Sequence, residues 1–295
     1  MNINSKIAKD LIDLGLLKSD ENPEIFSEKT RDKSDILVLK ASSGVIFLST
    51  DEHVVKGYYE DLSSYEYWGE ASRQYITSKT FQDDHRRATM IRPIVSGRTW
   101  LDVGTEMGGV LDILKGYAKE ILAVEPQNVA RQSLIDAGYS AYSDISEVRN
   151  GSIDVITAFH VLEHVPDNLG FLSQMRQKLK PGGRICIEVP HARDALLVKF
   201  DCKAFRESTL WSEHLILHTR ESLSAFIGKA GFVDVQITGV QRYNIANHMH
   251  WLSKGLPGGH NEWNYLSNPI MDELYEKQLS SLDMTDTLVA WARAR

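Results

Sequence analysis

Acidic and glycine residues follow the first strand of a repeating strand–helix pattern. The segment Leu101–Gly109 reads LDVGTEMGG, so Asp102 lies near the strand end and Gly104 and Gly108 follow it. Glycines at these places allow a tight turn and a close approach of a ligand to the backbone. The dinucleotide fingerprint G-x-G-x-x-G is not satisfied, because Glu106 occupies its second glycine position. We predict a ligand-binding turn here, with a strand–helix turn that binds nothing as the alternative.

Two further acids follow the next two strands. Glu125, in AVEP, ends the second strand 23 residues after Asp102, where a carboxylate can accept both ribose hydroxyls of an adenosine. After the short third strand, Asp144 is placed to accept the adenine amino group and Ile145 to cover the ring. The alternatives are an acid that caps the next helix and an Asp that caps a turn.

The fourth strand, residues 153–159, runs into a loop that contains His160, Glu163 and His164. Neutral histidine is the natural general base near pH 7. The H-x-x-E-H spacing also matches a metalloprotease motif, which requires both histidines on one face of a helix. Because the motif follows a strand here, we disfavour the protease interpretation.

Seven strand candidates alternate with helices from residue 98 to the end of the chain. The strands are predicted at 99–103, 121–125, 140–142, 153–159, 184–189, 232–238 and 287–291, and the intervening helices at 108–117, 129–137, 169–179 and 220–230. This alternation predicts right-handed crossovers and a doubly wound, mostly parallel sheet. Ligands bind at the carboxyl ends of such strands, where the acids, glycines and histidines are concentrated.

Two regions lie outside this pattern. Residues 1–97 are predicted to form an N-terminal cap with a helix, a hairpin (36–39 and 45–48), an aromatic lid (Tyr58, Tyr59, Tyr65, Tyr67 and Trp68) and a helix over 71–94. Residues 98–295 form the main domain, and residues 240–285 are an insertion between its last two strands, over the sheet edge or the ligand face.

Composition excludes several classes of protein. Basic residues number 33 and acidic residues 40, and the net charge of −7 disfavours nucleic-acid binding. Two cysteines exclude a disulfide framework and a Cys₄ zinc site. Uninterrupted apolar runs fall short of the ~18 residues of a membrane span. The first residues read as an amphipathic helix and not a signal peptide, so we expect a cytoplasmic protein.

The order and spacing of these motifs resemble the class I S-adenosylmethionine-dependent methyltransferases. The matching segments, over residues 98–239, are LDVGTEMGG, AVEP, SDI, GSIDVITAFHVLEHVPD, LKPGGRICIEVP and WSEHLILHTRESLSAFIGKAGF. The resemblance implies an α/β, Rossmann-like fold whose seven-stranded sheet has an antiparallel last strand. It implies S-adenosylmethionine as cofactor and S-adenosylhomocysteine as its product.

By this resemblance the cofactor-binding residues are Asp102, Gly104, Thr105, Glu106, Gly108, Glu125, Pro126, Asp144, Ile145, Phe159 and His160. His160 would lie near the sulfonium. Glu106 departs from the family, which usually has Gly there; it either binds the cofactor amino group or weakens binding. Arg86 or Arg87 is expected to reach the cofactor carboxylate, with at least one of the two on a solvated helix face.

The sub-family resembled includes sugar methyltransferases of antibiotic and surface-polysaccharide pathways, in which a Glu-His pair lies at the acceptor. We therefore expect His214 to be the base and Glu213 to orient it, with His164 a further catalytic candidate or a packing residue. The expected acceptor is a small polar molecule, a sugar or sugar nucleotide. Methylation on oxygen is favoured, because Lys40 and Ser43 stand where the carbon-methylating relatives have zinc cysteines.

A metal is not expected. Glu163, His164 and a downstream His are similar to the acid and histidine sets of ubiquinone-pathway and small-RNA methyltransferases, but His160 stands in place of their first acid. Metal-assisted transfer is kept as an alternative, as is an inactive fold that serves as a scaffold, which Glu106 favours. A nicotinamide oxidoreductase is disfavoured by the broken glycine fingerprint, and the oligomeric state stays open.

Overall fold

The computed structural model describes residues 3–55, 57–60 and 72–295. In chain order its strands are β1 (Glu24–Ser27), β2 (Val38–Lys40), β3 (Ile46–Leu48), β4 (Thr99–Val103), β5 (Glu120–Val124), β6 (Ser140–Tyr142), β7 (Ile153–Phe159), β8 (Leu179–Pro190), β9 (Ile216–Leu217), β10 (Phe232–Val240) and β11 (Thr287–Ala294). Its α-helices are α1 (Lys6–Asp13), α2 (Arg73–Val95), α3 (Gly109–Leu114), α4 (Asn128–Asp136), α5 (Asn168–Lys178), α6 (Lys203–Thr209), α7 (Arg220–Lys229), α8 (Ile245–Lys254), α9 (Gly259–Glu262) and α10 (Pro269–Ser281).

Seven of these strands form the central sheet, in the order β6-β5-β4-β7-β8-β11-β10. The pairs from β6 to β8 are all parallel, and β11 runs antiparallel to both β8 and β10. This is the doubly wound sheet with an antiparallel last strand that the sequence predicts, and the predicted fold class is confirmed. Every residue of β4 is buried, as expected of a parallel strand covered by helices on both faces.

The predicted strand positions agree with the structure to within a few residues, apart from β8. Helix α5 ends at Lys178 and β8 begins at once at Leu179, which pairs with Ile153. The Lys-Pro-Gly-Gly segment at 180–183 therefore lies within an extended strand with a register shift and not in a separate turn. The proline and glycines do end the helix, as predicted, because proline cannot continue a helical hydrogen-bond ladder.

A second sheet joins the N-terminal cap to the main domain. The predicted hairpin is present as β2 and β3, and the sheet has the order β1-β2-β3-β9. Strand β9 comes from the main domain and pairs with β3 through Ile46 and Leu217. The boundary predicted at residue 97 therefore does not separate two independent sheets, and β9 begins two residues after His214.

The insertion between β10 and β11 folds as α8, α9 and α10. Its first helix, α8, contributes Asn247 and His248 to a cavity that also reaches His160 and His214, so the insertion covers the ligand face. Of the predicted aromatic lid, Tyr65, Tyr67 and Trp68 lie outside the described residues. No helix in the described part of the chain is both long and apolar enough to cross a bilayer.

Candidate active site

The turn after β4 needs both of its glycines. Gly104 has φ +70°, and a Cβ added there would lie 2.4 Å from Cγ2 of Val161. Gly108 has φ +73°, and its Cβ would lie 2.6 Å from Leu134. Both conformations belong to the left-handed region that glycine adopts without strain. Glu106 also lies in that region, at φ +49°, although it is not glycine.

Asp102 is enclosed at the end of β4. Its carboxylate accepts a hydrogen bond from the Thr157 hydroxyl, which in turn accepts one from the Trp100 indole N–H at 2.7 Å. Burial raises the pKa of Asp102 to about 6. In this arrangement Asp102 ties β4 to β7, and its role beside the methionine part of the cofactor stays a prediction.

Glu125 holds the first two strand-end turns together. Its two carboxylate oxygens accept the backbone N–H groups of Glu106 at 2.8 Å and of Gln127 at 2.9 Å. Burial raises the pKa of Glu125 to about 7, and the nearby charge of Glu106 adds to the shift. A carboxylate oxygen can accept a second hydrogen bond, so the residue can still accept ribose hydroxyls.

The third strand end presents its two predicted residues differently. Asp144 is exposed and caps the short turn Ile145–Glu147, where it accepts the Ser146 N–H at 2.8 Å. Ile145 is buried in the main core, so little of its side chain is available to an adenine ring. Both assignments stay predictions, as do those of Thr105, Pro126 and Phe159, which lie at the ends of β4, β5 and β7.

Arg86 and Arg87 of α2 both bind Glu188, near the end of β8. Arg86 donates to its carboxylate at 2.9 and 3.0 Å, and Arg87 at 2.8 and 3.0 Å. Glu188 is fully buried. Although burial opposes its ionisation, His160 and the two guanidinium groups hold the pKa of Glu188 well below its usual range. Neither arginine lies on a solvated helix face, contrary to the expectation for at least one.

A chain of hydrogen bonds links three distant segments. Arg242, after β10, pairs with Asp83 of α2 through Nε at 3.1 Å, and its Nη1 lies 3.0 Å from Nε2 of His160. His160 Nδ1 lies 3.0 Å from the Glu163 carboxylate. Guanidinium groups can only donate, so in the neutral imidazole Nε2 accepts and the proton is on Nδ1, directed at Glu163. Arg242 and Asp83 thereby fix the tautomer of His160. Nε2 also lies 3.4 Å from the Glu188 carboxylate, which favours the protonated ring.

Glu163, His164 and His214 form a compact cluster. One ligand-type atom from each lies within 4.8 Å of those from the others. The His214 ring donates from Nδ1 to the Thr209 carbonyl at 3.1 Å, which leaves Nε2 as its basic atom. Burial, together with the charge of His164, lowers the pKa of His214 to about 4. Against burial, His160 and the neighbouring imidazoles hold the pKa of Glu163 at about 2.

Glu213 is not the partner of His214, contrary to the expectation that it orients the imidazole. Its carboxylate points toward the Tyr58 hydroxyl at 3.5 Å, and burial raises the pKa of Glu213 to about 7. The acid beside His214 is Glu163, which is distant from His214 in the sequence and comes close to it only in the folded chain. Glu163, in the loop after β7, was visible in the sequence, but nothing there indicated which histidine it would meet.

The N-terminal cap positions this cluster. Tyr59 donates to the His164 carbonyl at 3.4 Å and its ring packs edge-on against the His164 ring at 6.1 Å. Asp32 accepts the Ser212 N–H at 3.0 Å, and His53 Nε2 lies 2.7 Å from the Ser212 carbonyl oxygen. The loop that carries His214 is thus held from the cap side. Tyr58 and Tyr59 contact Glu213 and His164, and the aromatic lid to which the sequence assigns them stays a prediction.

The sheet order, the glycine turn after β4 and the acid after β5 together define the class I methyltransferase fold. A family model described as "Methyltransferase domain" matches residues 67–237, more than half of the chain. The chain therefore belongs to this methyltransferase family. The prediction that the chain is a member of a methyltransferase family is thereby confirmed.

Solved structures agree on the fold. A SAM-dependent methyltransferase from Archaeoglobus fulgidus superposes with a TM-score of 0.51 at 16% identity, covering 78% of this chain and 98% of that one. A SAM-dependent methyltransferase from Thermotoga maritima gives 0.51 at 14% identity, over 79% and 96%.

The curated relatives include proteins named ubiquinone biosynthesis O-methyltransferase. The protein from Nitrosococcus oceani is 33% identical over 101 residues, and that from Vibrio campbellii is 35% identical over 104. Each match covers 31% of this chain and 43% of the relative, so the chain matches less than half the length of these relatives. Neither of these two relatives is named as a sugar or polysaccharide enzyme, so they do not support the predicted sugar subtype.

Proposed function

We propose that this protein transfers a methyl group from S-adenosylmethionine to a hydroxyl of a small acceptor. The observation that carries the proposal is the position of the Glu163–His164–His214 cluster. It lies beside His160, at the carboxyl edge of the sheet where the cofactor of this fold binds, and His160 and His214 both line an adjoining cavity. A hydroxyl must lose its proton on methylation, and basic imidazoles at the cavity end supply an acceptor for that proton.

Each side of the transfer has its own residues. On the cofactor side, Glu125 accepts the ribose hydroxyls, and the turn through Gly104 and Gly108 lets the backbone approach the methionine part. On the acceptor side, Nε2 of His214 takes the acceptor proton, because its Nδ1 is committed to Thr209. Displacement at a methyl group is in line, so the loops must hold the two reactants within contact distance and exclude water.

Metal-assisted transfer is a second candidate, and the cluster itself favours it. Glu163 Oε2 is buried without a hydrogen-bond partner, and two imidazoles and a carboxylate suit Zn²⁺ or a similar ion. The Thr209 carbonyl also orients His214, as outer-shell groups do for metal-binding histidines. A bound ion would lower the pKa of the acceptor hydroxyl. Glu163, His164 and His214 fit such an ion. In the sequence, His160 at the position of the family's first acid argued against a metal site.

The acceptor class rests on weaker support than the reaction. Resemblance to sugar methyltransferases favours a sugar, and the similarity to ubiquinone biosynthesis O-methyltransferases favours a ring of the ubiquinone pathway. A hydroxyl on a small ring is common to both. We propose a cytoplasmic protein, which agrees with two free, buried cysteines, and we expect no nucleic-acid partner.

Two measurements test the proposed function. Calorimetry with S-adenosylmethionine and S-adenosylhomocysteine should show one site per chain. Mass spectrometry should then detect acceptors that gain one methyl group from a panel of sugars, sugar nucleotides, phenols and catechols, with and without added Zn²⁺ after chelation. Binding of the cofactor without turnover of any acceptor would favour the scaffold alternative, and turnover only with metal would favour the second candidate.

A further inference from the structure

The cavity at His160 and His214 has a volume of about 260 Å³. It lies between the turn Ala195–Lys199 with α6 on one side and α8 of the insertion on the other. Given the proposed function, on which this inference rests, it is the place where an acceptor meets the methyl group. Its volume lies just below the ordinary range of ligand pockets, which suits one substituted ring more than a nucleotide sugar.

One wall of the cavity is apolar. Leu196 and Leu197 come from the turn after β8, Leu217 from β9 and Phe205 from α6. The Phe205 ring is held edge-on against Trp251 of α8, with 5.3 Å between ring centroids. A fixed aromatic and aliphatic wall favours the flat or apolar face of a ring.

The described residues that line the cavity offer an anion no unpaired positive charge. His160 faces two carboxylates, with Nδ1 3.0 Å from Glu163 and Nε2 3.4 Å from Glu188, and burial lowers the pKa values of His191 and His248 to about 4. Of the described residues that line the cavity, Arg242 is the one permanent cation, and Asp83 already neutralises it. A phosphate group would therefore leave its hydration shell without gaining a counter-charge.

Two carboxyl groups line the same cavity, and neither supplies a counter-charge to an anion. Asp286 accepts backbone N–H groups from Arg242 and Tyr243 and a side-chain N–H from Gln241, so the loop after β10 uses its hydrogen-bonding capacity. Asp194 is buried and accepts the Leu196 N–H at 2.7 Å. Burial and the neighbouring Asp286 raise the pKa of Asp194 to about 8, so at neutral pH it is mostly protonated and can donate to a hydroxyl.

We propose that the acceptor is an uncharged, hydroxylated six-membered ring without phosphate. Its apolar face lies on the wall of Leu196, Leu197 and Phe205, and a hydroxyl faces Asp194. The sequence leads us to expect a sugar or a sugar nucleotide as acceptor, and this proposal excludes the sugar nucleotide. A free sugar ring and a catechol share this chemistry, and binding experiments separate the two.

The test is calorimetry on protein loaded with S-adenosylhomocysteine, with matched pairs of probes. D-Glucose is compared with D-glucose 1-phosphate, and catechol with catechol monophosphate. We expect the neutral ring of at least one pair to bind about tenfold more tightly than its phosphate, a difference of about 1.4 kcal/mol. Whichever neutral ring binds more tightly, glucose or catechol, shows whether the acceptor is a sugar or a catechol. Equal or tighter binding of the phosphates, or no binding of either neutral ring at millimolar concentration, would overturn the proposal.

Substitutions connect the binding to this cavity. Phe205→Ala should weaken the neutral ring about tenfold, whereas Phe205→Leu, which keeps an apolar wall, should change it less than about threefold. Phe81→Ala, at an exposed phenylalanine of α2, is the matched control. If the Phe205→Ala variant still binds S-adenosylhomocysteine and its affinity for the neutral ring is unchanged, the assignment of the ring to this cavity is contradicted. If the unsubstituted protein does not bind S-adenosylhomocysteine at all, the proposed function itself is contradicted.

Discussion

The cofactor side and the acceptor side of the candidate active site are built in different ways. The cofactor side comes from consecutive strand ends, so its turn and its acid, Glu125, lie within 25 residues of Gly104, and the Glu125 carboxylate accepts a backbone N–H of the turn. The acceptor side gathers side chains from the cap, from the loops after β7 and β8, from β9 and from the insertion. Its key contacts, such as Arg242 to His160, join residues far apart in the chain.

This difference determines what each side tolerates. Glycine conformations and the backbone N–H groups bound by one carboxylate, Glu125, fix the cofactor side, so side chains other than Glu125 can change there without moving the turn. Charged side chains fix the acceptor side against one another, and removing one leaves its partner buried and uncompensated. We therefore expect substitutions at the acceptor side to have the larger effects.

The largest effect is expected where the acceptor side meets α2. Glu188→Ala removes the buried carboxylate that Arg86 and Arg87 share, which leaves two guanidinium groups without their main counter-charge. The free energy of unfolding should fall by about 3–5 kcal/mol in urea titrations. Asp234→Asn breaks an exposed pair with Arg293 and keeps a residue type that tolerates the left-handed φ of +56° there, so it should cost less than about 1 kcal/mol. Equal losses in the two variants would contradict the role of burial.

The same difference explains what the sequence could predict. The strands β4, β5 and β7, the glycine turn and the acid after β5 follow from local patterns of hydrophobicity and turn residues, and the structure has each of them. The partner of His214 depended on tertiary packing, and there the expectation was wrong: the sequence neighbour Glu213 faces Tyr58. Glu188 is noticeable in the sequence only as a lone acid in an apolar strand. The sequence of that strand does not indicate that its partners, Arg86 and Arg87, lie on α2.

His214→Ala tests the acceptor side alone. Loss of the proposed base should lower kcat/KM by about 10²–10⁴-fold for the acceptor that the panel identifies. The dissociation constant of S-adenosylhomocysteine should change less than about twofold, since His214 lies outside the cofactor turns. His85→Ala, at an exposed histidine of α2, is the control in the same assays. A parallel loss of cofactor affinity would show that the two sides are not separable.

Glu125 provides the corresponding test of the cofactor side. Its pKa is about 7, so the carboxylate that we propose to accept the ribose hydroxyls is lost as the pH falls through 7. S-adenosylhomocysteine should therefore bind about tenfold more weakly one pH unit below that value, as calorimetry can measure. Glu125→Gln should bind 10- to 100-fold more weakly at pH 8 and lose this pH dependence. Glu120→Gln, at the opposite end of the same strand, should match the unsubstituted protein.

Arg242 connects the insertion to the catalytic cluster, so Arg242→Gln tests positioning across the acceptor side. Against burial and the positive charge of Arg242, Glu163 and Glu188 hold the pKa of His160 above its usual value, so removal of the Arg242 charge should raise that pKa further. We expect kcat to fall about tenfold, the acid limb of the pH–kcat profile to move to higher pH, and Arg242→Lys to restore part of the activity. Arg293→Gln, at an exposed arginine, is the control. A lower kcat with an unmoved profile would indicate a structural role only.

The smallest effect is expected at Glu106, where the cofactor side departs from its family pattern. Glu106 adopts φ +49° and its side chain is exposed, so the backbone is strained with little packing in return. Glu106→Gly should raise the free energy of unfolding by about 0.5–1 kcal/mol. Glu106→Ala removes the same carboxylate without relieving the backbone, so it should give no increase. If both variants instead destabilise the protein equally, the carboxylate supports the turn, and the cofactor side depends on a side chain in the way that the acceptor side does.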